Sequence, residues 1–358
     1  MTRVFVVALA LLAACRAPSP LEKQPPFDFD ARPGPERFSR EAELLSRWND
    51  ARADSLRDFW NAGEAGSFAG VDGVEVVYRV HRAASPKADV VLMPGRTEAI
   101  IKYAEVVSDL VAQGYTTWAL TLRGQGEAGR MLPDPEKGYV AFFDDYVSDA
   151  HQFLSTVVRP EGRRVFLLAH SLSGGVAANL VDEHPGDVDA LVLSAPMLEI
   201  DLGAFPPPVA ASLAAGVCDA SDGTAWAIGS GPYREETDFA ANTVSQSEAR
   251  WTWKVQQLRD DERIRLGGLT WRWLCQALAG SSRGSLVGRY SSTPTLLLQA
   301  GDDRFVKPGG QNRYCGDAPR CTLSRLEGGR HELLQEKDEV RDLALSRIVK
   351  FFDAEAAR

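Results

Sequence analysis

The sequence predicts an α/β fold: a mostly parallel sheet with helices on both faces and a mainly helical cap inserted late in the chain. Three observations carry this. The 358 residues are 44% hydrophobic, 25% charged and 9% aromatic, a globular balance that excludes a disordered tail, a coiled coil or a collagen-like fibre. From residue 71 onward, short apolar runs alternate with amphipathic stretches, as buried parallel strands joined by crossover helices do. The alternation then stops between residues 199 and 290. That stretch holds Pro206-Pro207-Pro208 and five of the eight tryptophans, Trp226, Trp251, Trp253, Trp271 and Trp273. It is too long for a simple loop and too apolar for a disordered one.

Taken in order, the chain opens with a targeting segment. Arg3 precedes an apolar run over 4–14 that is too short to span a bilayer as a helix and has the layout of a secretory signal peptide. The run ends in Leu12-Ala13-Ala14-Cys15, which resembles the bacterial lipobox. On that reading residues 1–14 are removed, Cys15 carries lipid, and acyl chains anchor the protein without a transmembrane span. Residues 15–38, rich in Pro and polar side chains, read as a tether. Ser39 caps an expected helix over 39–60, within an N-terminal helical segment 39–66. Strands are expected over 74–80, 89–93, 116–122, 164–169, 190–194, 295–299 and 322–326, and helices over 101–111, 139–158, 174–183 and 339–352. The core is therefore 67–198 plus 291–358, interrupted by the cap 199–290.

Charge and cysteines bound the partners. Forty Lys and Arg against 49 Asp and Glu leave a net charge of −9 with no basic block, so nucleic acid is excluded as a partner class and docking on anionic lipid is disfavoured. Export places the remaining cysteines in an oxidising compartment. Cys315 and Cys321 could close a small disulfide ring across a turn-rich segment, the alternative being two buried thiols. Cys218 and Cys275 remain, and nothing local supports their pairing. No CxxC or Cys/His cluster has zinc spacing, so no metal site is expected. No signal for an oligomeric state is read.

The chemistry concentrates at one strand exit. The apolar strand ending at Leu168 runs into Ala169-His170-Ser171-Leu172-Ser173-Gly174-Gly175 and then a helix, a relaxed G-x-S-x-G strand–turn–helix elbow with Ser171 as nucleophile. Ala169 and Ser173 are small, as close strand–helix approach requires, but neither is the usual Gly. A rival register centres Ser173; Ser171 is preferred because it directly follows the strand. Of five His, only His184 and His331 follow Ser171, as the order Ser, acid, His demands. His184-Pro185-Gly186 is a helix stop on the wrong edge, whereas His331 leaves the last strand at the catalytic edge. Asp302 and Asp303 both follow the preceding strand, and either could orient His331. For the oxyanion, the backbone N–H of Leu172 is one expected donor. The N–H of Arg96, after Pro94-Gly95, is the other. The Arg96 side chain reads either as a surface charge or as a contact to a substrate phosphate or carboxylate.

Pro94-Gly95-Arg96-Thr97-Glu98, Lys102-Tyr103-Ala104, Arg123-Gly124-Gln125-Gly126, His170-Ser171, His184-Pro185-Gly186, Ser194-Ala195-Pro196-Met197 and His331-Glu332 together resemble the bacterial lysophospholipase and monoglyceride lipase branch of the α/β-hydrolases, over residues 71–352. The resemblance implies the α/β-hydrolase fold, the Gly-x-Asp-Arg acid at Asp303 and oxyanion amides at Arg96 and Leu172. It also implies hydrolysis of single-chain lipid esters without metal or organic cofactor. The resulting expectation is a serine hydrolase of lysophospholipids, held by its lipid anchor on the periplasmic or cell-surface side of a membrane. Its cap should fold over the catalytic edge and wall an acyl site with its tryptophans, the alternative being that Trp251, Trp253, Trp271 and Trp273 form the cap's own core. The alternatives are a monoacylglycerol lipase or general carboxylesterase, a serine peptidase on the same scaffold, or a non-catalytic lipid-binding lipoprotein.

Overall fold

The computed structural model describes residues 23–30, 38–41, 53–203 and 207–358. The segment read as a signal peptide, Cys15 and half of the helix expected over 39–60 lie outside the described residues. From that helix the structure describes α1 (Ala53–Ala62), with Leu56 and Trp60 buried.

One eight-stranded sheet organises the chain: β1 (Glu64–Ala69), β2 (Glu75–His81), β3 (Ala88–Met93), β4 (Tyr115–Leu120), β5 (Val165–His170), β6 (Ala190–Ser194), β7 (Thr295–Ala300) and β8 (Cys321–Leu326). Their spatial order is β1-β2-β4-β3-β5-β6-β7-β8. Pairings β1/β2 and β2/β4 are antiparallel; all others are parallel. The central strands are buried along their whole length and divide their side chains by the period-2 rule. Val91, Met93, Leu167, Ala169, Leu191, Leu193 and Leu297 enter the core on one face. Val90, Leu92, Phe166, Leu168, Val192, Leu296 and Leu298 enter the core on the other.

Helices α3 (Phe143–Phe153) and α4 (Leu172–Glu183) cover the first face. Helices α2 (Ala104–Ala112) and α9 (Asp338–Ala356), with α1, cover the second. Between β6 and β7 come α5 (Pro207–Ala220), α6 (Glu248–Asp260) and α7 (Trp271–Leu286); α8 (Pro308–Asp317) precedes β8. No helix among the described residues is long and apolar enough to cross a membrane.

The cap is joined to the core by ions as well as apolar contacts. Arg250 of α6 is fully buried. Its Nε and Nη2 donate to Glu105 at 2.8 and 3.0 Å, Nη2 also to Asp338 at 2.9 Å, and Nη1 to the Glu336 carbonyl at 2.6 Å. A buried charge persists only when paired this fully. Cys218 of α5 is disulfide-bonded to Cys275 of α7, and Cys315 to Cys321.

Residues 23–30, within the segment read as a tether, lie against the body. Lys23 Nζ donates to the Cys315 and Gly316 carbonyls at 3.0 and 2.7 Å, the Phe27 amide donates to Thr322 Oγ1 at 2.7 Å, and Lys350 Nζ donates to the Phe29 carbonyl at 2.9 Å.

Candidate active site

The elbow after β5 exists as a strained turn. Ser171 has φ 51° and ψ −113°, a conformation that side-chain-bearing residues adopt only where the surroundings enforce it. Its carbonyl accepts the amides of Gly175 and Met197 at 3.2 and 2.8 Å, and its amide donates to the Ser194 carbonyl at 3.1 Å. A Cβ on Gly174 would lie 2.6 Å from Pro196 Cβ, so helix α4 can start here only with glycine at that position.

Ser171, His331 and Asp303 meet across this turn. Ser171 Oγ lies 2.8 Å from His331 Nε2, and His331 Nδ1 lies 2.7 Å from Asp303 Oδ2. Burial alone would raise the Asp303 pKa. The His331 ring and the amides of Phe305 and Val306, which donate to Oδ1 at 2.8 and 3.1 Å, outweigh it and leave the carboxyl below its ordinary value. An ionised Asp303 can only accept, so Nδ1 carries the proton and Nε2 presents its lone pair to the Ser171 hydroxyl. Asp302, the other acid weighed, is exposed and uses its amide on the Gly329 carbonyl at 2.9 Å. Ser173 is fully buried and donates its hydroxyl to the Pro94 carbonyl. It ties the elbow to the turn after β3 and faces no base.

That turn holds Arg96. Gly95 presses so closely on the elbow that a Cβ there would lie 3.2 Å from Ser171 Cβ. Arg96 follows Gly95 in this turn, and Leu172, the first residue of α4, follows Ser171. The turn is held by a buried network that sequence reasoning assigned no role. Glu98 accepts the Gly95 amide at 2.5 Å, the Tyr103 hydroxyl at 2.8 Å and Lys102 Nζ at 2.5 Å. Lys102 Nζ also lies 2.7 Å from Glu332, the residue after His331. Burial by itself would lower the Lys102 pKa and raise that of Glu98. Their mutual attraction, with Glu332 acting on Lys102, reverses both, leaving Lys102 raised and Glu98 at about 2. The Glu98–Lys102 spacing of four was the only local signal for this pair; Glu332 is 230 positions away.

His170, packed 4.9 Å from the His331 ring, donates Nδ1–H to the Ser194 carbonyl at 3.1 Å, and burial lowers its pKa to about 4. His81, stacked on Phe59, is lowered to about 4 by burial and then by Arg79. Both rings stay neutral in the folded protein while the unfolded chain protonates them near 6.5. Between about pH 6.5 and 4 the unfolded state therefore binds more protons, and stability falls as pH falls through that window. Urea unfolding at pH 7.5 and 5.0 measures this, and His81→Gln, which cannot titrate, is expected to flatten the slope.

His184 and His151 stack at 3.7 Å, with His151 Nδ1 2.6 Å from Asp187. These three are the one metal-compatible cluster among the described residues, a juxtaposition invisible in their spacing. The cluster lies beyond the C-terminus of α4, at the opposite end of that helix from Ser171.

A cavity of about 840 Å³ adjoins the triad between cap and core. Its wall includes Arg96, Glu98, Lys102, Lys254, Phe305 and Glu332, and the Phe305 ring lies 5.1 Å from His331. The tryptophan walls expected from the sequence are not there: none of the cap's five tryptophans is among the lining residues. Trp253 and Trp273 are buried in the two apolar cores instead. Their indole N–H groups reach the Ile101 carbonyl at 3.3 Å and the Tyr146 hydroxyl at 3.2 Å.

The sequence model of a hydrolase family described as serine aminopeptidase, S33, matches residues 84–338. The chain belongs to this family. Among curated proteins it is 36% identical to lysophospholipase L2 of Escherichia coli K12 over 83% of this chain and 90% of that one. It is 31% identical to monoacylglycerol lipase of Mycolicibacterium smegmatis over 40% of this chain and 50% of that one. Among solved structures, a soluble variant of monoglyceride lipase from Saccharomyces cerevisiae superposes with a TM-score of 0.65 at 18% identity, covering 82% of this chain and 95% of that one. The family member described here therefore has the α/β-hydrolase fold.

Proposed function

We propose that the protein is a serine carboxylic-ester hydrolase of single-chain lipids, lysophospholipids foremost. The likeness to lysophospholipase L2 along nine-tenths of that relative is the observation that carries the substrate class. In the mechanism we assign, Ser171 Oγ attacks the acyl carbonyl as its proton passes to His331 Nε2. Asp303 holds the ring and stabilises the imidazolium. The amides of Arg96 and Leu172 receive the oxyanion. His331 then protonates the departing glycerol oxygen, leaving an acyl-enzyme. Water, deprotonated by the same imidazole, releases the fatty acid.

A second reading, a peptidase, is favoured by the family's description. One panel separates them: kcat/KM for fatty acid release from a lysophospholipid, a monoacylglycerol and a diacyl phospholipid with matched chains, beside aminoacyl p-nitroanilides. Single-chain lipids are expected to lead. A strong preference for the anilides or for short water-soluble esters overturns the assignment.

The anchor is a separate proposal. The 1–16 segment supports lipidation at Cys15, and the two disulfides fit an oxidising compartment outside the cytoplasm. Mass spectrometry of the mature N-terminus is expected to find an acylated Cys15; an unmodified start ends this proposal.

A further inference from the structure

We propose that the Arg96 side chain is the anion-recognising group of a headgroup subsite, taking the phosphodiester of a single-chain phospholipid and thereby selecting it over a neutral monoacylglycerol. This rests on the single-chain-ester reading above and names what distinguishes its two substrate classes.

The cavity beside the triad is walled by charge. Most of that charge is already matched. Lys102 is held by Glu98 and Glu332, and Lys254 Nζ lies 2.7 Å from Glu236. Arg96 differs. Among the described residues no carboxylate lies within ion-pair distance of its guanidinium. Its Nη2 donates to the Gly267 carbonyl at 2.7 Å, its Cζ lies 5.1 Å from the Trp273 ring centroid, and its buried Nε has no hydrogen-bond partner. The loop opposite is cut to fit it: a Cβ on Gly138 would lie 2.8 Å from Nη2. Burial lowers the Arg96 pKa to about 10, so the group is still a cation at neutral pH. A desolvated cation without a counter-charge is costly, and an arriving anion removes that cost. Arg also presents the planar fork that phosphate oxygens match.

Position supplies the specificity. The Arg96 backbone N–H is the oxyanion donor assigned above, so its side chain starts beside the ester carbonyl and enters the cavity that adjoins it. In a lysophospholipid, only the three-carbon glycerol separates that carbonyl from the phosphodiester. A monoacylglycerol has the same carbonyl and glycerol but no anion. The competing role is a latch, in which Arg96 merely fastens the cap through Gly267 and Trp273; a latch serves both substrates equally.

The decisive measurement is the ratio of kcat/KM for lysophosphatidylethanolamine to that for monoacylglycerol of the same chain, in wild type and in Arg96→Met. Met retains a stem to pack on Trp273 and leaves the backbone amide in place. The ratio is expected to fall about tenfold to hundredfold, chiefly through KM for the phospholipid. Arg96→Lys is expected to restore part of it. Equal losses on both substrates identify a latch and overturn the proposal. A second measurement needs no variant: glycerophosphoethanolamine as an inhibitor of wild-type p-nitrophenyl butyrate hydrolysis. It is expected to compete with a Ki at least about tenfold below that of glycerol; equal Ki values overturn the subsite. Wild type that cleaves the short ester but neither lipid sinks the single-chain-lipid assignment, while the inhibition result still decides the role of Arg96.

Discussion

Ser171→Ala is expected to abolish nearly all turnover, by on the order of a million-fold in kcat, without changing the thermal unfolding midpoint materially. Ser171 Oγ is the hydroxyl 2.8 Å from His331 Nε2, and alanine removes the attacking atom while leaving the turn's backbone bonds intact. The control is Ser173→Ala. That hydroxyl is buried and spent on the Pro94 carbonyl, so its loss should loosen the turn bearing Arg96 and reduce turnover only in part. A live Ser171→Ala enzyme beside a dead Ser173→Ala one would transfer the nucleophile to the rival register.

The next largest effect is expected from Asp303→Asn, a loss of about ten-thousand-fold in kcat. The amide can turn its NH₂ toward Nδ1, which then accepts. The remaining ring proton moves to Nε2, and His331 faces the Ser171 hydroxyl with a donor where a base is required. Asp302→Asn is expected to stay within a few-fold of wild type, because that side chain is exposed and away from the ring. Stopped assays of the two variants side by side settle which aspartate serves; equal losses would show that the pair acts jointly.

The parts of this molecule that could be read in advance share one physical property: they are local. Central strands such as Val165–His170 and Thr295–Ala300 are buried on both faces and so appear as unbroken apolar runs. Ser171 announces itself because it directly follows such a run, and His331 because it stands in the loop that leaves the last strand. β1 was missed because Glu64–Ala69 is a half-exposed edge strand with little apolar alternation. Its register comes from β2, not from its own composition. α8 was missed because Pro308–Asp317 contains three glycines and reads as turn. The Glu98–Lys102–Glu332 network was illegible for another reason. Charged side chains are mostly solvated, and only the fold shows that these are not. The tryptophans failed differently again: composition told that the cap is apolar, but not which way each ring points.

The docked stretch 23–30 sets a leash. Counting from Cys15, eight residues remain before Lys23, about 28 Å at full extension. Lys23 is held at the Cys315 and Gly316 carbonyls, just before β8 begins, whereas Ser171, Asp303 and His331 all sit past the ends of their strands. The leash thus leaves from the edge of the sheet opposite the reaction centre. A six-residue strand such as β8 spans about 20 Å, within the reach of those eight residues. With Cys15 in the bilayer as proposed, the body can roll until its catalytic edge meets the lipid surface. It cannot swing out to a neighbouring membrane, so its turnover would be confined to molecules diffusing past in the sheet of lipid that holds it.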